Sequence, residues 1–150
     1  MIEIYGDMWD KKYNGYVRCI TTNGFIKNNG ACVMGKGTAL QAATLYPNLP
    51  KLLGTFVKHY GNHVHELISG EIVSFPTKHY WWDKSDTSLI IRSCKELMSL
   101  VINSDWHKIL LPRPGCSNGG LTWKMVHPIC QKYLDDRVTI ISYEENYERY

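Results

Sequence analysis

Apolar and polar positions along the chain change period repeatedly, from the two-residue alternation of strands to the three- and four-residue steps of helices. IEIY at 2–5 alternates well enough for a short strand. YVRCITT at 16–22 is β-branched and ends at Asn23-Gly24, which predicts a second strand running into a loop. Residues 23–37, NGFIKNNGACVMGKG, are rich in glycine and asparagine and read as a long loop. TALQAATLY at 38–46 holds good helix formers. Leu49, Leu52, Leu53, Phe56, Val57 and Tyr60 then recur at helical steps, predicting an amphipathic helix stopped by Gly61. GEIVSFP at 70–76 predicts a strand closed by Pro76. Ser85 and Asp86 are placed to cap a helix carrying Ile90, Cys94, Leu97, Met98 and Val101 on one face. KILLP at 108–112 is a continuous apolar run, as in a central strand buried on both faces. TWKMVHPICQKYL at 122–134 reads as a helix with Pro128 near a kink or in an early turn, and VTIISY at 138–143 as the last strand. Strands alternating with helices predict one three-layer α/β domain over 1–150, with a largely parallel sheet.

Composition narrows the class. A 150-residue chain with 44% hydrophobic residues has the size and the apolar content of a single globular domain. Its net charge of +3 and pI near 8.5 suit an anionic ligand but fall short of the strongly basic balance of a dedicated nucleic-acid binder. The five cysteines (Cys19, Cys32, Cys94, Cys116 and Cys130) are odd in number and form no CxxC, which argues against disulfides and zinc and for a reducing cytoplasm. The start, MIEIYGDMWD, has neither the basic nor the apolar region of a signal peptide. No apolar run approaches the length of about 18 residues that suggests a membrane span.

Two loops carry the candidate chemistry. ACVMGKGTAL at 31–40 and PRPGCSNGGL at 112–121 each precede a predicted helix and are built from small residues. In sheets of this kind ligands bind beyond the carboxyl ends of the strands. Glycines let main-chain N–H groups face outward, and a helix N-terminus adds positive character, so each loop fits a phosphate and the pair fits a diphosphate. A tight strand-to-helix turn explains one such loop equally well, but two together less so. Neither loop matches GxxxxGK[ST] or GxGxxG, which disfavours a P-loop nucleotidase and a standard dinucleotide fold.

GDMWD, VMGKGTALQ and LPRPGCSNGGLTW, in this order and separation, resemble a macrodomain over 6–143. The resemblance is nearest to the branch holding the bacterial DNA-ADP-ribosylation antitoxin and the terminal ADP-ribose protein glycohydrolase. It implies a three-layer α/β/α fold with a mixed, largely parallel sheet, and ADP-ribose as ligand with no cofactor or metal. It places Asp7 at the adenine amino group with Met8 beside it, and Asn23 near the distal ribose. Met34, Gly35, Lys36 and Gly37 fall at the diphosphate and distal ribose. Arg113, Pro114, Gly115, Cys116, Ser117, Asn118, Gly119 and Gly120 fall at the second diphosphate loop. Tyr143 is either a packing partner for the adenine or an ordinary strand-end aromatic. The branch also places a catalytic lysine at a strand end, which maps onto Lys78 in FPTKHYWW, expected here in a loop after Pro76. As a nucleophile the amine must be neutral, which needs burial or a neighbouring cation, and Lys36 qualifies if the two loops converge.

One departure matters. The glycohydrolase carries an aspartate in the second loop where this chain has Gly119, and the antitoxin-like members share a neutral GNGG-type loop. Acid–base help then falls to Asn118 holding a water, to Asp83, or to the substrate itself. The implied activity is release of ADP-ribose from a nucleic acid, single-stranded DNA included, or from a protein. The alternatives are a non-catalytic ADP-ribose-binding module and an ADP-ribose 1''-phosphate phosphatase. A monomer is expected, in the cytoplasm, which is the host's if the chain is viral. Weaker candidates are a His59, His63 and His65 metal site, which Gly61 interrupts, and a Cys116 nucleophile. Trp81-Trp82 is expected to cover the sheet edge rather than stack on bases, and YEENYERY at 143–150 to be a solvated end or a final turn.

Overall fold

A computed structural model describes residues 1–143 of the chain, so the predicted tail lies, beyond Tyr143, outside the described residues. Six strands form one sheet in the order β1-β6-β5-β2-β4-β3. They are β1 (Ile2–Tyr5), β2 (Val17–Asn23), β3 (His65–Ile68), β4 (Ile72–Lys78), β5 (Ile109–Pro112) and β6 (Val138–Ser142). All neighbours are parallel except β3, which runs antiparallel to β4. The helices are α1 (Gly37–Leu45), α2 (Leu49–Tyr60), α3 (Thr87–Ser104) and α4 (Trp123–Tyr133). None of them is long and apolar enough to cross a membrane.

The two-residue period of the strands sorts the core into two layers. Val17 and Cys19 of β2, Val73 and Phe75 of β4, Ile109 and Leu111 of β5, and Val138 and Ile140 of β6 pack under α3 and α4. Ile20 and Ile72 face the other way, against Leu49, Leu53 and Val57 of α2 and Ala39 and Ala42 of α1. On that same side Leu110 and Ile141 meet Met8 and Tyr13, from the segment between β1 and β2. KILLP is thus buried on both faces, as its unbroken apolar run predicts. α3 begins at Asp86, whose carboxylate accepts the Ser88 N–H at 2.8 Å, and α4 at Thr122, whose side chain accepts the Met125 N–H.

Two elements differ from the pattern of the chain. β3 has no counterpart in it and is the edge strand of the sheet, beyond β4. β4 does not close at Pro76 but runs through it to Lys78. Pro76 is tolerated because β3 pairs only as far as Ser74, and the β2 ladder slips between Thr22 and Asn23 beside it. Pro128 lies inside α4, where it takes away the N–H that would have bonded the Lys124 carbonyl.

Candidate functional site

Because five strands run parallel, the segments that follow them emerge along one edge of the sheet. A cleft of about 630 Å³ opens there, within the range typical of small-molecule sites. Its walls come from just beyond β1 (Gly6, Met8), the end of β2 (Thr22, Asn23), the end of β4 (Lys78), and just beyond β5 (Arg113) and β6 (Tyr143). Both glycine loops line it as well.

The first loop hangs between β2 and α1. The Asn23 side chain pins it: Nδ2 donates to the Val33 carbonyl at 3.0 Å, and Oδ1 accepts the Phe25 N–H at 3.0 Å. Cys32 N–H donates to the Pro50 carbonyl in α2, and Gly30 lies against Gly54 of the same helix. The loop ends in Met34, Gly35 and Lys36, with Lys36 as the N-cap of α1 and offering no side-chain cap. Among the described residues the main-chain N–H groups of Gly35, Lys36, Gly37 and Thr38 have no partner, so they face the cleft at a helix start.

The second loop is folded tightly on itself. Leu121 N–H donates to the Gly115 carbonyl at 2.9 Å, and Ser85 N–H donates to the Gly119 carbonyl at 2.9 Å. A side chain at Gly119 would overlap Ser85 Oγ and lie 2.5 Å from the Gly115 carbonyl oxygen. Gly115 has φ +73° and is hemmed in by Ser85, Ile90 and Leu121. The small residues at these two positions are therefore required by the packing of the loop onto Ser85, and not only by an approaching ligand. The N–H groups of Ser117, Asn118 and Gly119 take no partner among the described residues. A Cβ on Gly37 would sit 3.4 Å from Asn118 Nδ2, so the two loops meet.

Lys78 stands where they meet. Its Nζ donates to the Asn118 carbonyl at 3.3 Å and, more weakly, to the Trp81 carbonyl at 3.5 Å. Burial holds its pKa below the usual lysine value, Lys36 lowers it further, and Asp83 works against both. The two loops converge, so Lys36 lines the same cleft as Lys78 and its charge reaches the amine. Asn62, in the turn before β3, donates from Nδ2 to the Lys78 carbonyl at 2.9 Å and accepts a hydrogen bond from Arg92 on its own carbonyl.

The remaining residues divide. Met34, Gly35, Lys36 and Gly37 line the cleft, as do Asn23, Gly115, Cys116, Ser117, Asn118 and Gly119. Asp7, Pro114 and Gly120 do not. Asp7 is exposed at the rim, with Oδ1 accepting the Trp9 N–H at 3.0 Å. Tyr143 is exposed and its hydroxyl accepts from Gln41 Nε2 at 2.8 Å, closing the cleft between β6 and α1. Arg113 is buried in the wall, 4.9 Å from the Trp123 ring and 6.0 Å from the Tyr5 ring. Burial pushes the Cys116 thiol up to about 12, the wrong direction for a nucleophile. His63 pairs with Glu96 at 2.7 Å and His65 with the Gly61 carbonyl at 2.9 Å. Trp81 and Trp82 do not lie buried over the sheet edge; they are 49% and 57% exposed and line the cleft.

Some lining residues carried no signal in the sequence. The hydroxyls of Thr22, Ser85 and Ser142 are buried in the cleft wall without a partner among the described residues. Buried hydroxyls are usually paired, so three orphans in one cavity mark it as a polar binding surface. In the sequence Ser85 reads only as a helix cap and Thr22 and Ser142 as ordinary strand residues; only the fold brings these three together.

A three-layer sheet with this strand order and a glycine-walled cleft at its carboxyl edge is a macrodomain fold. The macrodomain of Mycobacterium tuberculosis DarG superposes with a TM-score of 0.75 at 24% identity, over 95% of this chain and 99% of that one. The macrodomain of Thermus aquaticus DarG does so at 0.69 and 24% identity, over 95% and 97%. Thermosipho africanus DarTG, solved in complex with ADP-ribose, matches at 0.74 and 20% identity, over 96% of this chain and 42% of its own length. No family model and no curated protein sequence matches the chain.

Proposed function

We propose that the cleft binds ADP-ribose and that the chain hydrolyses the bond joining it to a nucleic acid or a protein. The observation that carries this reading is the convergence of two loops of unpaired N–H groups on a lysine whose amine is biased toward its neutral form. The diphosphate sits between the 35–38 and 117–119 segments, where the main-chain donors and the start of α1 favour negative charge. Adenine lies toward Met8 and Tyr143, and the exposed Asp7 carboxylate, between the lining residues Gly6 and Met8, serves its amino group. The distal ribose then reaches Lys78. A fold-mate of this chain was solved with ADP-ribose, which supports the choice of ligand.

In the reaction the neutral Lys78 amine attacks the anomeric carbon of the distal ribose. The linked group departs with the electron pair of its bond and takes up a proton, and water then breaks the lysine–ribose bond to release ADP-ribose and restore the amine. Gly119 cannot hold an acid, so proton transfer to the leaving group falls to Asp83, to a water held by Asn118, or to the substrate. A panel of ADP-ribosylated thymidine oligonucleotide, ADP-ribosyl-glutamyl protein and ADP-ribose 1''-phosphate tests this, run on wild type and Lys78→Ala. We expect cleavage of a macromolecular linkage and a loss of about a hundredfold or more in the variant. Tight ADP-ribose binding without turnover on any arm makes the chain a binding module, the reading that the sealed Gly119 favours. Equal turnover by both proteins removes Lys78 from the chemistry, and phosphate release alone makes the chain a phosphatase.

A further inference from the structure

Past Lys78 the cleft opens onto a group of aromatic rings that the core does not require. Tyr80 and Trp82 stack with centroids 5.0 Å apart and planes 17° apart. Phe25, from the first loop, meets Trp82 edge-on at 5.2 Å, and Trp81 meets Trp82 edge-on at 5.4 Å. The backbone holds the group in place: Asp83 N–H donates to the Tyr80 carbonyl at 3.1 Å, and Gly24 N–H donates to the His79 carbonyl at 3.1 Å. Rings fixed this way cost little further ordering when a flat partner lands on them. Yet Tyr80, Trp81 and Trp82 remain about half exposed, and both tryptophans border the cleft beside the Lys78 amine. An exposed apolar patch continuous with a polar cavity is the usual mark of a binding surface.

The chemistry around the rings selects the partner. Lys36 and Lys84 stand at the edges of the two loops, and Lys84 flanks Gly120. The nearby acids are engaged: Asp83 accepts the Tyr80 N–H, and Asp86 caps α3 and pairs with His79. Half-exposed rings on a cleft that also carries Lys36 and Lys78, with the nearby acids already hydrogen-bonded, suit an unpaired base on a phosphate backbone. An acidic peptide would use the cations but leave the ring faces bare.

We propose that Trp81 and Trp82, at the Lys78 end of the cleft, form a second subsite on which a base adjoining the modified nucleotide stacks. The inference rests on the reading of the cleft given above, because the group leaving past Lys78 is what reaches the rings. Fluorescence anisotropy of a labelled single-stranded pentathymidylate, free of ADP-ribose, tests the subsite by itself. Wild type is expected to bind it, and Trp81→Ala and Trp82→Ala to weaken binding about fivefold or more, with Trp81→Phe keeping most of it. Because both tryptophans border the cleft, ADP-ribose affinity by calorimetry should fall by a smaller factor than oligonucleotide affinity, and the melting temperatures should hold because both side chains are half exposed. No binding by wild type, unchanged binding by both alanine variants, or a loss seen only with an ADP-ribosylated peptide would overturn the proposal. Oligonucleotide binding that depends on the tryptophans, in a protein that does not bind ADP-ribose, would leave the subsite standing and sink the reading of the cleft.

Discussion

At the scale of single residues, Lys78 and Gly119 define what this cleft can do. Lys78 is reactive only as the free amine, and its pKa is lowered first by burial and then by the charge of Lys36, against the pull of Asp83. Turnover should therefore rise with pH and level off above the lowered pKa of Lys78. Lys36→Met removes a positive neighbour, so the midpoint should move up; Asp83→Asn removes a negative one, so it should move down. Profiles of kcat against pH at saturating substrate check both, and midpoints that shift together or not at all would separate the rate from the amine. Gly119 gives the second prediction. Gly119→Asp restores the acid that the resemblance to the glycohydrolase leads one to look for, yet its side chain has nowhere to go but into Ser85 and the Gly115 carbonyl. The variant should lose about 1–3 kcal/mol in urea unfolding and bind ADP-ribose more weakly, with no gain in cleavage of protein esters.

At the scale of elements, α2 fixes the first glycine loop, and a glycine in the helix makes that possible. Alanine is ordinarily better than glycine inside a helix by about 1 kcal/mol. At Gly54 a Cβ would fall on the Gly30 carbonyl oxygen and 3.0 Å from its carbon, so the ordinary gain is reversed. Gly54→Ala should cost about 1–3 kcal/mol in denaturant melts, and calorimetry should show weaker ADP-ribose binding because Gly30 and the Cys32–Pro50 hydrogen bond carry the loop. The pattern of the chain made α2, α3, α4 and the buried β5 legible, because long amphipathic periods and unbroken apolar runs report burial directly. β3 escaped because HELI is short, half polar and paired on one side only, so its identity comes from β4 and not from its own residues. The end of β4 escaped because proline normally stops a strand, and only the slipped ladder beside Pro76 lets it continue. The glycine loops and Lys78 were legible as candidates. Their convergence was not, since no local spacing says that Asn118 meets both Gly37 and Lys78. The exposure of the tryptophans also depends on how the 79–83 turn sits on the sheet, which the pair of letters does not reveal.

At the scale of the whole molecule, the cleft is the place where the separate parts of the fold are joined. Its walls come from residues at or just past the ends of β1, β2, β4, β5 and β6 and from the start of α1, so a ligand seated there bridges the carboxyl-end segments of all five parallel strands. Three buried hydroxyls in those walls, on Thr22, Ser85 and Ser142, have no partner among the described residues, and a polyhydroxylated ligand is the kind that pairs them. Ligand binding should then be linked to global unfolding and not to the ordering of one loop. A ligand at a hundred times its Kd stabilises the native state by about 2.7 kcal/mol, and a domain of this size gains about 2–4 °C per kcal/mol. Saturating ADP-ribose should therefore raise the melting temperature by roughly 5–11 °C as a single transition. ADP, which lacks the distal ribose, should give a smaller rise at the same concentration, because it leaves the Lys78 end of the cleft unfilled. Equal rises for ADP and ADP-ribose would mean that the distal ribose makes no net contribution next to Lys78, and the assignment of that end of the cleft would have to be given up.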